Sequence, residues 1–384
     1  MGKRTGKTIA LILSGMLILT SCSSVSGFLS GGYEPIDTSS GTAELPVENM
    51  EAARGETKTS AQEAVTSPAE TKPLSGSAKA VSGETETSSE ETGSGSIRLC
   101  FAGDILLSGF VLNAYDATGN AGGILDETLL DAGRNADIFM ANEEFPFGTT
   151  GTPAENKQYT FRVDPKRISL FSELGLDIVT LANNHILDYG RDPLSETCAA
   201  LDGAGISYVG AGENLERASA LMVLERKGKK IGFLAASHVY PESGWSASAD
   251  TSGVFSAYDP ADLLKKVRDS ESQCDFTVVY LHWGTERKTE PDRYETELAH
   301  SLIDAGADLV VGSHPHVLQK IEFYKNKPIA YSLGNYLFGS SIPQTELLCV
   351  DVQEDNMARV SVIPAGGSNG KTISTGKETS VTSD

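Results

Sequence analysis

The sequence has few of the residues that mark several common classes of protein. Its 384 residues include only 5 cysteines, and no two of them form a CxxC pair, which argues against a structural zinc site built from thiolates. Basic residues are also scarce, at 31 against 52 acidic residues. Since the formal net charge is −21, little positive charge is available to neutralise phosphates, and we expect no nucleic acid partner.

No apolar run near the amino end is long enough to span a bilayer comfortably. Residues 9–19 form a shorter apolar run, which Lys3, Arg4 and Lys7 precede. This pattern is typical of an export signal. The run ends at Leu19-Thr-Ser-Cys22, which resembles a bacterial lipobox. We therefore predict a lipoprotein signal peptide at 1–22, a lipidated Cys22 and an extracytoplasmic protein anchored to the cell membrane. The alternative is a plain secretory peptide with a chance cysteine.

Large apolar residues are almost missing from residue 30 to residue 96. The segment 23–96 is rich in Ser, Thr, Gly and Glu and has 12 acidic and 4 basic residues, so it is predicted to be a disordered tether. The last stretch, 366–384, is predicted to be a disordered tail. Residues 97–365 then form the folded domain, with a net charge of −16. The disulfide state of its four cysteines stays open.

Apolar runs of strand length alternate with helical patterns across most of this domain. Strand-like runs end near Asp104, Ala141, Ala182, Leu281 and Val311, and helical stretches lie between them. After residue 316 the pattern changes to four β runs without helices: 317–323, 328–332, 347–352 and 358–363. This order predicts an α/β fold of layered sheets with helices outside.

Four of the six histidines follow just three of these strand-like runs. They are His185, His282, His314 and His316. Asn184 precedes His185, and two other strand-like runs are followed by Asp104 and by Asn142, Glu143 and Glu144. Loops beyond the carboxyl ends of strands commonly carry ligand sites in α/β sheets. Imidazole, carboxylate and amide oxygen together suit Zn, Mn or Fe. We therefore predict a divalent transition metal site, with one or two ions, or a phosphate site.

Each of these residues also has a structural explanation. Asp104 is consistent with a residue of a turn or a helix cap. His185 is consistent with a half-buried histidine whose hydrogen bonds are satisfied. His314 and His316 are harder to explain in this way, because an extended backbone around Pro315 would point both rings to one side. His238 has no partner motif, and His300 is predicted to pack within a helix.

Six motifs resemble the CapA family of bacterial capsule and poly-γ-glutamate biosynthesis proteins, also called PgsA. In chain order they are Phe101-Ala-Gly-Asp104, Asn142-Glu-Glu-Phe-Pro146, Ala182-Asn-Asn-His185 with Leu187-Asp-Tyr-Gly190, His282-Trp-Gly-Thr-Glu286, Gly312-Ser-His-Pro-His-Val317 and Tyr331-Ser-Leu-Gly-Asn335. The resemblance covers about 97 to 340. It implies a fold similar to calcineurin-like metallophosphoesterases, a four-layer α/β/β/α sandwich with two mixed sheets and a two-metal site.

The resemblance also implies a role for individual residues. The implied metal ligands are Asp104, Glu144, Asn184, His282, His314 and His316, and His185 is the implied catalytic residue, which protonates a leaving group. The implied supporting or substrate-contacting residues are Asn142, Asn183, Asp188, Glu286 and Asn335. Three positions depart from the family pattern, namely Leu106, Glu143 and Ser313, where phosphoesterases or family members commonly have His, Leu and His.

Two functions remain open from the sequence. The first is a metal-dependent hydrolase or transferase that acts on a phosphoester or on the γ-glutamyl polymer. The second is a non-catalytic component of a membrane polymer synthase complex, which would bind poly-γ-glutamate or another anionic cell-surface polymer. Because the domain is net acidic, binding a polyanion tightly would require cations or a local basic patch.

Overall fold

A computed structural model describes residues 95–383 of the chain. The predicted signal peptide, its Cys22 and the tether up to residue 94 lie outside the described residues. The described residues belong to one compact unit. Within this part of the chain, no helix has the length and apolar character needed to cross a membrane.

Strands make up most of the regular structure. In chain order they are β1 (Ile97–Ile105), β2 (Ile138–Glu143), β3 (Ile178–Thr180), β4 (Ser207–Val209), β5 (Ala211–Gly212), β6 (Met222–Arg226), β7 (Lys229–Ser237), β8 (Gly253–Val254), β9 (Phe276–His282), β10 (Leu309–Ser313), β11 (Ile321–Tyr324), β12 (Lys327–Ala330), β13 (Asn335–Leu337), β14 (Ser341–Val352), β15 (Ala358–Ser368), β16 (Lys371–Ser374) and β17 (Thr379–Val381).

The helices lie between the strands of the first three quarters of the domain. They are α1 (Gly109–Thr118), α2 (Glu127–Arg134), α3 (Ser169–Leu174), α4 (Arg191–Ala204), α5 (Leu215–Ala218), α6 (Ala261–Ser270) and α7 (Arg293–Ala305). Short 3-10 turns occur at Ala121–Gly123, Pro165–Ile168 and Ser243–Trp245. Residues 165–174 therefore form a 3-10 turn followed by α3.

The strands form two large mixed sheets and one small pair. The first sheet has the order β16-β15-β14-β1-β2-β3-β4, with β13 beside β1 and β17 beside β15. The second sheet has the order β11-β12-β10-β9-β7-β6, and β5 pairs with β8. In the first sheet β1, β2, β3 and β4 run parallel, and in the second β7, β9, β10 and β12 run parallel.

Three apolar cores show how the layers stack. Side chains from both sheets, such as Phe101 and Met140 from the first and Phe233 and Val278 from the second, share one core between the sheets. The outer face of the first sheet packs against α1 to α4, and the outer face of the second packs against α6 and α7. The described residues therefore form an α/β/β/α sandwich, which confirms the predicted fold class.

Helix boundaries follow the local sequence signals. At α7, Asp292 and Glu295 form a capping box, and the helix ends at Gly306 with φ of 116°. At α4, Pro193 lies in the first turn and Gly205 ends the helix with φ of 72°. Pro suits a first turn, whereas glycine suits the left-handed conformation after the last turn. These signals agree with the prediction that helical stretches lie between the strand-like runs.

The prediction of a disordered tail at 366–384 is wrong for the described residues. β15 continues to Ser368, and β16 and β17 both pair with it. Thr372 is fully buried and donates a hydrogen bond to the Tyr336 carbonyl, and Ser374 donates to Asp126. These strands are short and polar, so the apolar alternation that predicts strands is missing, and backbone pairing with β15 holds them instead.

All four cysteines of the described residues are free thiols. Cys100 and Cys349 lie opposite each other on the antiparallel pair β1 and β14, fully buried, with their sulfur atoms 2.9 Å apart. Both cysteines therefore pack in the apolar core as small buried side chains.

Candidate metal centre

The six predicted metal ligands meet at one edge of the sandwich. Asp104 lies near the end of β1, and Glu144 and Asn184 follow β2 and β3 in the first sheet. The second sheet contributes His282 from the end of β9, and His314 and His316 from the loop after β10. Because the carboxyl ends of parallel strands meet at one edge of a sheet, face-to-face packing of the two sheets brings both sets together.

The ring nitrogen Nε2 of His282 lies at the centre of a first group of ligand atoms. It is 2.8 Å from Asn184 Oδ1, 3.1 Å from His314 Nδ1 and 3.5 Å from Glu144 Oε1. His282 and Glu144 are fully buried. Atoms that bind one cation lie at such distances from one another, since each is about 2.0–2.2 Å from the metal.

A second group shares Glu144 with the first. His316 Nδ1 lies 2.8 Å from Asn335 Oδ1 and 3.3 Å from Asp104 Oδ2, and His316 Nε2 lies 4.0 Å from Glu144 Oε1. The two groups are also in close contact with each other: the ligand atoms of Glu144, His314 and His316 lie within 4.8 Å of one another, and so do those of Asp104, Glu144 and His282. A shared carboxylate between two ligand groups is the arrangement of a two-metal site.

The chemistry of these residues fits a divalent transition metal. Both carboxylate oxygens of Glu144 are buried and have no hydrogen-bond partner among the described residues. Burial, together with the charge of Asp104, raises the pKa of Glu144 well above its usual value. A buried carboxylate without a partner is costly, and a cation between Glu144 and the facing histidines would remove that cost.

Two of the facing histidines, His282 and His314, are held neutral. Burial, with the nearby His316, lowers the pKa of His314 to about 3, and burial lowers the pKa of His282 well below its usual value. His316 differs: burial alone would lower its pKa, but the charges of Glu144 and Asp104 raise it to about 10. Burial alone would raise the pKa of Asp104, but His316, Asn142 and His314 hold it below its usual value. Since neutral imidazoles bind metals, His282 and His314 are already in the binding form, whereas His316 would release a proton on binding.

The backbone around Pro315 is not extended, and the prediction on this point is wrong. His314 has φ of 98° and His316 has φ of 57°, a left-handed region that side chains rarely adopt. Both rings nevertheless reach one site. The His314 N–H donates to Asp104 Oδ2 at 3.3 Å, so the backbone of this loop lies against the cluster. Strained backbone of this kind clusters at functional sites, where surrounding contacts hold it in place.

A chain of amides supports Asp104. Asn183 Nδ2 donates to Asn142 Oδ1 at 3.0 Å, and Asn142 Nδ2 donates to Asp104 Oδ1 at 2.8 Å. The backbone N–H groups of His185 and Ile186 both donate to Asn183 Oδ1. Asn142 and Asn183 thus contact the carboxylate and the following loop, and Asn335 contacts His316.

His185 lies beside this cluster rather than inside it. Its Nδ1 is 2.7 Å from Asp188 Oδ2, and its ring packs at 4.4 Å from the Phe161 ring. Asp188 is fully buried and also accepts from the Phe161 N–H and from Lys157. Burial lowers the pKa of His185, although Asp188 acts in the opposite direction. Asp188 therefore fixes the ring and leaves Nε2 as the atom that can exchange a proton.

Lys157 belongs to the site but was missed from the sequence. Its ammonium group contacts the Asn184 carbonyl, His185 Nδ1 and Asp188 Oδ1, and it lies 5.2 Å from the centre of the Trp245 ring. Burial lowers its pKa. Lys157 comes from an irregular segment with no strand-end position or motif spacing, so no signal in the sequence pointed to it.

Two of the departures from the family pattern lie on the other face of the first sheet. Glu143 is fully buried and pairs in register with Ile105, a residue of the helix-side core. Neither of its carboxylate oxygens has a hydrogen-bond partner among the described residues. Burial raises its pKa well above the usual value. Leu106 packs in the same helix-side core. Neither side chain joins the ligand group.

Three further predicted positions lie outside the cluster. Glu286 is exposed on the loop after β9 and has no hydrogen bond or ion pair with the cluster among the described residues. The His238 ring stacks on Tyr294 at 3.8 Å, and burial lowers its pKa to about 4. His300 stacks on Tyr324 at 3.9 Å and lies 2.7 Å from Glu322, so it packs against neighbours but is not enclosed by apolar residues.

Comparison with known proteins gives a clear family match. The family model described as bacterial capsule synthesis protein PGA_cap matches residues 98–340. That range is well over half of the chain, and it contains every residue of the ligand cluster.

Individual relatives have related names. The chain is 30% identical over 241 residues to the capsule biosynthesis protein CapA of Bacillus anthracis, covering 60% of this chain and 58% of that protein. It is 34% identical over 249 residues to a probable polyglutamine synthesis accessory protein of Mycobacterium tuberculosis, covering 59% of this chain and 65% of that protein. This chain therefore spans less than two thirds of the length of either relative.

Among solved structures, the chain is similar to the NAD nucleotidase NadN of Haemophilus influenzae. The TM-score is 0.44 with 12% identity, over 75% of this chain and 60% of that chain. A likeness of this size carries no functional argument.

Proposed function

The chain belongs to the bacterial capsule synthesis protein family, and we propose that it acts in capsule or poly-γ-glutamate biosynthesis as a metal-dependent hydrolase. The observation that carries the proposal is the buried Glu144 carboxylate, which has no hydrogen-bond partner among the described residues and faces neutral histidines. Such a group is stable only beside a cation or when it is protonated.

The metal would be held by residues from both sheets. Asn184, His282, His314 and Glu144 form one ligand group, and Asp104, Glu144 and His316 form the other. When bound, a divalent transition metal such as Mn, Zn or Fe supplies an activated water and polarises a phosphoryl oxygen. Glu144 is the residue that would join two ions if both groups are filled.

His185 supplies the proton in this proposal. We assign the Nδ1 proton to the contact with Asp188 Oδ2 at 2.7 Å, because a carboxylate oxygen can only accept. Phe161 packs against the ring, so the imidazole cannot rotate freely. The Nε2 atom then carries the proton that passes to a leaving group, the role of a general acid. Lys157 pairs with Asp188, which gives the buried carboxylate a cationic partner while it holds the ring.

The charge of the domain favours an enzyme over a simple polymer-binding scaffold. The folded domain is strongly acidic, and a polyanion such as poly-γ-glutamate would be repelled from most of its surface. A metal centre provides a local positive site where an anionic group can approach. We therefore propose that a phosphoester or the γ-glutamyl polymer engages the protein at the cluster, with a membrane synthase complex as the partner.

Lipid anchoring is part of the proposal and depends on Cys22. If Cys22 is acylated after signal cleavage, Cys22→Ala should release the protein from the membrane or leave it unprocessed. Membrane fractionation and palmitate labelling measure this directly. Labelling and fractionation that do not change in the variant would contradict the anchor and favour a plain secretory peptide.

The proposed function is tested most simply by the metal content of the purified wild-type protein. We expect about one or two equivalents of a transition metal by elemental analysis, because the two ligand groups share Glu144. A screen of phosphodiester and γ-glutamyl substrates with added Mn²⁺ or Zn²⁺ should then detect turnover. Protein that binds no metal and has no turnover, yet supports polymer production in cells, would instead be a scaffold component.

A further inference from the structure

Ser313 is the last residue of β10 and lies directly opposite His282 in the sheet. The pair is in register between the parallel strands β10 and β9, both residues are fully buried, and Ser313 Oγ is 3.0 Å from His282 Nδ1. This contact involves the ring nitrogen that points away from the ligand group. The protonation of that nitrogen determines whether Nε2 can bind a metal, since a neutral imidazole carries one proton.

Two side chains contact His282 Nδ1, and only one of them can accept a hydrogen bond. The second contact is Asn142 Nδ2, at 3.4 Å. The orientation of the Asn142 amide is fixed, because its Oδ1 accepts from Asn183 and its Nδ2 donates to Asp104. Asn142 therefore presents only N–H groups to the ring. Ser313 Oγ is the one acceptor for an Nδ1–H of His282 among the described residues.

The hydroxyl of Ser313 is suited to this role. A serine hydroxyl can donate and accept at the same time, so its oxygen can accept the Nδ1–H of His282. Tyr280, two residues before His282 on β9, donates its own proton to the Ala102 carbonyl at 2.9 Å.

We propose that Ser313 is a positioning residue that keeps the proton of His282 on Nδ1 and so leaves Nε2 free to bind the metal. The inference rests on the proposed metal centre and adds a residue that determines its affinity. The other tautomer is available, because Nε2–H would donate to Asn184 Oδ1 and Nδ1 would accept from Asn142. Without Ser313, a buried Nδ1–H would face the Asn142 amide protons, and the metal-binding tautomer would lose its only acceptor.

The test compares Zn²⁺ affinities, measured by competition with a chelator, in the wild type and in variants. Ser313→Ala should weaken Zn²⁺ binding by about 10–100-fold, the usual cost of removing an outer-shell partner of a ligating histidine. Ser313→Thr keeps the hydroxyl and should restore most of the affinity. Ser270→Ala is the matched control: this buried serine bonds to Val267 and Thr277, away from the cluster, so Zn²⁺ affinity should stay unchanged.

A spectroscopic readout on the folded wild type separates positioning from a loss of folding, because it needs no substitution. Nitrogen-15 NMR of the six histidines should show a proton on His282 Nδ1 in the Zn²⁺-loaded wild type.

The outcomes distinguish this inference from the proposed function. A wild type that binds no Zn²⁺ would overturn the metal centre itself. A wild type that binds Zn²⁺ with the same affinity as Ser313→Ala would overturn the role of Ser313 alone. An Nε2-protonated His282 in the loaded protein would do the same.

Discussion

His314→Ala is expected to abolish stoichiometric metal binding. His314 Nδ1 lies 3.1 Å from His282 Nε2, and its low pKa keeps the ring neutral and ready to act as a ligand. Changes to outer-shell partners alone typically cost about 10–100-fold in affinity, so removal of a direct ligand should weaken binding by more than about 100-fold. Elemental analysis and chelator competition on the purified variant measure the effect.

The matched control for this experiment is His300→Ala. His300 lies on α7, stacks on Tyr324 and pairs with Glu322, and it has no contact with the ligand group. This variant should lose some stability, measured as the free energy of unfolding, but keep its metal. If His314→Ala keeps wild-type metal content, the ligand assignment of the loop after β10 is wrong.

The second large effect is expected at His185. His185→Ala should keep the metal content and the fold but lower turnover by about 10²–10⁴-fold, the usual contribution of a general acid. The metal should stay because His185 is not among the residues whose ligand atoms group together. Asp188 and Phe161 hold its ring beside the cluster, where it can deliver a proton. Steady-state kinetics on the substrate found in the activity screen, together with elemental analysis, checks both parts.

Two results would contradict this role for His185. Loss of metal in His185→Ala would show that the ring supports the ligand group, through Asn184 or Lys157, rather than the chemical step. Wild-type turnover in the variant would remove the general acid and require another proton donor. His300→Ala serves as the control here too, because it changes a histidine remote from the cluster.

Much of the fold was predictable because the signals that specify it are local. Apolar runs followed by polar residues located β1, β2, β3, β9 and β10. Consecutive β runs after residue 316 indicated a change from alternating α and β structure. The strands β16 and β17 could not be predicted, because their stability comes from pairing with β15 and not from their own apolar pattern.

The candidate site was predictable as a set of residue types but not as a set of contacts. Strand-end positions gave a wider set of polar residues, and the resemblance to the CapA family implied which of them are the six ligands and that His185 is catalytic. They did not show that His314 and His316 adopt left-handed backbone, that Lys157 enters from an irregular segment or that Glu143 lies on the opposite face from Glu144. Each of these facts depends on packing between segments far apart in the chain.

The sequence by itself determined which residues end their strands with a metal-binding side chain, because strand length and polarity are read from a few consecutive residues. Only the tertiary structure decided which of those side chains meet, and in which protonation state. The two sheets contribute to the cluster from positions more than 100 residues apart in the chain, as with Asp104 and His314. Their burial then fixes the neutral histidines and the unpartnered Glu144, since low-dielectric surroundings and neighbouring charges control the pKa values.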